Sequence, residues 1–160
     1  MVADTAQTHW LVNTRTPVAL RLDSSVHYQI DSEEGAEEFS RLIPAGGHLV
    51  QFPLAPGSSE KRQFTVMLFH QLRCLDLLRQ EYILSLSYSY SHPSAISRHC
   101  LNYLRQSLLC HPDMTLESVR DASGENTATT REYEAVCNDW TAVYEAVVSN
   151  QVAYDSKGDS

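Results

Sequence analysis

Between Glu60 and Leu86 the chain carries neither proline nor glycine, and Phe64, Met67, Leu68, Gln71, Leu72, Leu75 and Leu78 mark successive helical turns. The polar stretch SLSYSYSHPS then reads as a loop, and a second helical run extends to Cys110. Pro93 suits the first position of that helix. His111-Pro112 ends it, because the residue before a proline avoids the helical region. The chain's most chemically suggestive residues sit on these two helices, so whatever fold it adopts is judged by whether they pack face to face.

The remaining segments are shorter. Residues 18–22 and 47–52 read as strands and 34–42 as a short helix, with Pro44, Gly46 and Gly47 punctuating the connection. After the loop LESVRDASGENTAT, Thr129 and Glu132 have the spacing of a capping box. Val136, Trp140, Val143, Tyr144 and Val147 then repeat at helical intervals, which predicts a third helix over 130–148. The expected fold is mainly α with a small β portion, with helices at about 60–86, 93–110 and 130–148. A flexible arm over 1–19, one domain over 20–150 and a polar tail over 151–160 complete the expected organisation.

At 160 residues the chain can bury one core. A net charge of −8 makes a nucleic-acid backbone an unsuitable partner, and no basic run offsets it. There is no apolar stretch of about 18 residues, so no membrane span is expected. The first residues lack a basic start followed by an apolar segment, so no secretory leader is expected either. A soluble protein, with the cytoplasm as the favoured compartment, follows. Cys74, Cys100, Cys110 and Cys137 form no C-x-x-C pair, leaving buried thiols or one or two disulfides open.

Two pentapeptides carry the chemistry: HQLRC at 70–74 and ISRHC at 96–100. His70 and Cys74 are four apart and share a helix face, with Arg73 and Leu77 on or beside it. His99 and Cys100 are adjacent and about 100° apart, so they cannot both point at one spot. Tyr103 shares a face with His99. If the helices pack together, His70, Arg73, Cys74, His99 and Tyr103 form one cluster. Two imidazoles and two thiols meet the ligand count for copper or zinc. Arg73 opposes this with a fixed positive charge, and Ile96 offers no donor. Without a metal, His70 or His99 can exchange a proton near neutral pH while Arg73 or Tyr103 stabilises developing negative charge. The bland alternative makes both histidines partly buried residues with satisfied hydrogen bonds.

FHQLRCLDLLR, SRHCLNYLRQSLLCHPDMTLE, VCNDWTAVYEAV and FSRLIPAGGHLVQF together resemble the UstYa-like family of fungal secondary-metabolite oxidative-cyclisation proteins. The resemblance runs over about residues 20–148. It implies a biosynthetic tailoring protein whose two His-x-x-His-Cys boxes are thought to hold copper. This chain departs from both boxes: Arg73 stands at the second histidine position of the first, and Ile96 at the first histidine position of the second. The expected function is therefore a metal-independent cyclase, or a related acid–base catalyst, acting on a small-molecule intermediate with no cofactor. His70, Arg73, His99 and Tyr103 are the expected catalytic residues, and Cys74, Leu77, Ile96 and Cys100 line the expected substrate pocket. The alternative is a copper-dependent oxidase using His70, Cys74, His99 and Cys100, completed by a non-motif histidine such as His92 or His111. A further alternative is a non-catalytic partner of an active paralogue, and a homodimer is equally open.

Overall fold

The computed structural model describes residues 10–14, 16–22, 25–54, 58–87, 92–114, 116 and 133–155. Strand β1 (Val18–Leu22) is followed by helix α1 (Glu33–Ser40), strands β2 (Leu49–Pro53) and β3 (Lys61–Thr65), and helices α2 (Met67–Ser87) and α3 (Ala95–Cys110). Strand β4 (Tyr133–Cys137) and helix α4 (Thr141–Asp155) close the chain. The fold is mainly α with two small antiparallel ribbons, β1 with β4 and β2 with β3.

Local signals account for several boundaries. Ser32 caps α1 by accepting a hydrogen bond from the Gly35 amide at 2.9 Å, and Glu33 and Glu34 place negative charge at the positive end of the helix. Ser94 does the same for α3 through the Ser97 amide at 3.0 Å, so Pro93 precedes the cap rather than opening the helix. Glu81 of α2 accepts from the Ser94 amide at 2.6 Å and from its hydroxyl at 3.0 Å, fastening the end of one helix to the start of the next. The α3 helix ends at Cys110, with His111 at φ −126°, ψ 71°, as the following proline requires.

Two expectations are corrected. The first long helix begins at Met67, because 61–65 form a strand whose residues pair in register from Lys61 opposite Pro53 to Thr65 opposite Leu49. The third helix begins at Thr141, because 133–137 pair with β1, Val18 opposite Cys137 through Leu22 opposite Tyr133. In both places pairing with another strand outweighs a weak helical rhythm. The capping box at Thr129 and Glu132 lies outside the described residues.

The core gathers around Val50, Phe69 and Val147, all buried, with Trp10, Phe52, Phe64, Leu72 and Tyr144 packed against them. Trp10, from the stretch expected to be a loose arm, meets Phe52 edge-on at 5.2 Å between ring centroids. Tyr144 meets Phe69 edge-on at 4.8 Å and donates a 2.7 Å hydrogen bond to the Leu42 carbonyl. Its burial raises the phenol pKa, so it remains a donor. The buried carboxylate of Asp76 is answered on its own helix by Arg79 at 2.9 Å and Gln80 at 2.7 Å. No described helix is long and apolar enough to cross a membrane.

Cys74 and Cys100 are joined by a disulfide with Cα atoms 4.9 Å apart, tying α2 to α3. Closing a loop across a separation of 26 residues stabilises a fold by about 3 kcal/mol. Replacing both cysteines by serine is expected to lower the unfolding free energy in urea by about that amount, and reductant should mimic the effect in the parent protein. Coincident denaturation curves would rule out the crosslink.

Candidate functional site

Helix α2 presents His70 in its first turns, where the backbone N–H donates to the Val66 carbonyl at 3.1 Å. Helix α3 presents Ile96, His99 and Tyr103, which share one face at the i, i+3, i+7 spacing. The disulfide sets the two helices so that these faces meet. His70 and Tyr103 stack with centroids 4.0 Å apart and planes within 22°. His99 completes a set of three nearly parallel rings, 5.8 Å from His70 and 6.2 Å from Tyr103.

None of these rings is tied down by a side-chain hydrogen bond within the described chain. That corrects the expectation of hydrogen-bonded structural histidines. His27 shows what such a residue looks like here: its Nδ1 lies 2.5 Å from Glu38 Oε1. His70 is half-buried, whereas His99 is exposed. Partial burial, and then the positive charges of His99 and His48, hold the His70 pKa below its ordinary value. His70 is therefore held in its neutral form, with a lone pair free to accept a proton, near pH 7.

The other expected site residues divide. Cys74 and Cys100 are fully buried and bonded to each other, so in this state they offer no thiolate to an ion and no surface to a substrate. Arg73 is exposed, three residues along α2 from His70, and forms no hydrogen bond or ion pair among the described residues. Ile96 is 53% exposed on the His99 face, and Leu77 is half-buried two helical turns from His70. Cys110 and Cys137 remain separate thiols.

Among the described residues, no three His, Cys, Asp or Glu side chains converge as a metal would require. His111, one of the two expected supplementary ligands, lines a groove of about 600 Å³ on the flank of the helix pair formed by Leu68, Gln71, Leu72, Leu75, Leu104 and Leu108. Neither His70, His99 nor Tyr103 lines that groove, so the apolar space between the helices and the imidazole stack occupy different places. The non-motif histidine whose charge does reach His70 is His48, which motif reasoning missed. Its signal in the sequence is a histidine directly behind two glycines and ahead of a strand, GGHLVQF.

An unfolded imidazole takes up its proton near 6.5, whereas folded His70 does so only at lower pH. Within that window the unfolded state binds more protons, so the His70 contribution to stability is lost as pH falls through it. Replacing His99 by asparagine removes one neighbouring positive charge but leaves the burial. The NMR titration midpoint of the His70 ring is expected to rise part of the way toward 6.5. An unchanged midpoint would mean that the two rings do not face each other.

Residues 43–145 match the family described as mycotoxin biosynthesis protein UstYa. The UstYa family oxidase phomYb of Diaporthe leptostromiformis is 31% identical over 118 residues, covering 68% of this chain and 47% of that protein. The oxidase ustYa of Aspergillus flavus is 32% identical over 79 residues, covering 49% of this chain and 37% of that protein. The chain thus spans less than half the length of these two relatives. No solved structure matches. With its matched segment running from the approach to β2 into α4 and including both histidine-bearing helices, the chain belongs to the UstYa family.

Proposed function

We propose that this protein is a tailoring enzyme of fungal secondary-metabolite biosynthesis that closes or rearranges a reactive intermediate by acid–base chemistry. The observation that carries the reading is the stack of His70, His99 and Tyr103, in which the imidazoles are close together, unpaired and backed by a phenol. His70 has its pKa lowered chiefly by burial and serves as the base. It removes a proton from a C–H or O–H group of the substrate. The Tyr103 hydroxyl donates to the oxygen on which negative charge develops. The accepted proton returns to the product, by way of His70 or the more exposed His99, so the step needs no oxidant.

A substrate suited to this arrangement is enolisable or phenolic, because its anion is the species that imidazoles and a phenol stabilise. Ile96 provides apolar surface on the His99 face, and the exposed Arg73, one turn from His70, is available to an acidic group. Holding the intermediate folded against the stack supplies rate through proximity alone.

The relatives' names favour a second reading, a copper-dependent oxidative cyclase. The residues present fit it poorly. Among the described residues no three His, Cys, Asp or Glu side chains converge as a metal requires, and the box cysteines are joined to each other.

Expression of the protein with pathway intermediates provides the test. His70→Ala and Tyr103→Phe are each expected to lower product formation by about a hundredfold or more, the range of acid–base and oxyanion contributions, with thermal melting unchanged. Full product formation by folded His70→Ala and His99→Ala variants would remove the site assignment. Stoichiometric copper in active protein purified without chelators would overturn the metal-free reading in favour of the oxidase.

A further inference from the structure

His48 lies outside both cysteine boxes, yet its charge bears on His70 of the first. The β2–β3 ladder pairs Leu49 with Thr65. Continued by one residue, that register sets His48 opposite Val66. The Val66 carbonyl accepts the His70 amide at 3.1 Å. His48 and His70 therefore approach the same residue, one from the strand end and the other from the first turns of α2. His48 is half-buried, and its imidazole has no hydrogen-bond partner within the described chain.

The backbone around His48 is tightly specified. Gly47 donates to the Pro44 carbonyl at 2.8 Å, and its φ of +87° is a conformation that glycine adopts without strain. Gln151 reaches from α4 and donates its amide N–H groups to the carbonyls of Gly46 at 3.2 Å, Gly47 at 3.0 Å and Leu49 at 3.1 Å. These three carbonyls bracket His48 on both sides. A Cβ on Gly46 would meet the Gln151 amide at 2.3 Å, so the glycine leaves room for the clamp. Next to it, Asn150 exchanges hydrogen bonds with both backbone groups of Gln51, each at 2.9 Å. Backbone groups of Gly46, Gly47, Leu49 and Gln51 are thus held by α4 around an imidazole that itself is not.

We propose that His48 is the third imidazole of the site, turned toward His70 from the β2 edge, and that Gln151 is the positioning residue that fixes it there. This rests on the acid–base reading of the His70–His99–Tyr103 stack. His48 donates to the oxygen of the enolisable intermediate whose proton His70 removes. Gln151 touches no substrate and acts only through the 46–49 backbone.

The experiment compares His48→Ala, His48→Gln, Gln151→Glu and Gly46→Ala with His70→Ala in the full chain. Product formation from pathway intermediates and the ring NMR signals of His48 and His70 are read together. Loss of one donor to a developing anion predicts a fall of about a hundredfold for His48→Ala. Gln151→Glu and Gly46→Ala, which loosen the clamp, should lower product formation while shifting the His48 and His70 ring signals, with melting temperature retained. His48→Gln, which keeps an N–H donor, should recover part of the activity lost in His48→Ala. If His70→Ala abolishes product while folded His48→Ala and His48→Gln leave it unchanged, His48 is outside the site and the proposal alone is overturned. If His70→Ala is also fully active, the proposed function and this inference fall together. Ring signals that stay fixed in Gln151→Glu would overturn the positioning role.

Discussion

The disulfide between Cys74 and Cys100 determines how the two central helices meet. One crosslink with 4.9 Å between Cα atoms leaves little freedom for α2 to slide along α3. A slip of a single helical turn, about 5.4 Å, would exceed the 4.0 Å separation of His70 from Tyr103. Glu81 reinforces the same register from the other end through its two bonds to Ser94. The cysteines of the two boxes thus place the histidines of those boxes. In this arrangement their contribution to function is geometric.

The second support comes from α4. Val147 enters the core beside Val50 and Phe69, and Tyr144 reaches both the Phe69 ring and the Leu42 carbonyl. Three and four residues past Val147, Asn150 and Gln151 turn from packing to hydrogen bonding and fasten β2 and the loop before it. The β2–β3 hairpin then leads directly into α2, so the placement of the loop is passed to the turn that carries His70. Both supports converge on one half-buried imidazole.

The parts of this structure legible in the sequence are the locally encoded ones. The apolar rhythm of α2 beyond Met67 and the His111-Pro112 stop act within a few residues, and α2 and the end of α3 fall where those signals put them. Strands β3 and β4 are different. KRQFT and YEAVC have little strand character alone and become strands only beside LVQFP and VALRL, the latter more than a hundred residues away in sequence. Val136 fits a helical rhythm in the sequence yet is an 81% exposed strand residue. At the site, helix spacing brought His70, His99 and Tyr103 together correctly, since faces follow from periodicity. It could not reveal that the two cysteines would consume each other, nor that the β2–β3 pairing would set His48 at the strand end beside the approach to α2. Arg73 illustrates the limit from the other side: its position in the box is plain, but the structure leaves it exposed.

The central claim is that the imidazole stack performs proton transfer without a redox partner. Incubation of the purified protein with pathway intermediates under argon, in excess chelator, tests it most directly. The account predicts the same product at the same rate as in untreated air-saturated buffer. Product that forms only with oxygen and is abolished by the chelator would contradict it.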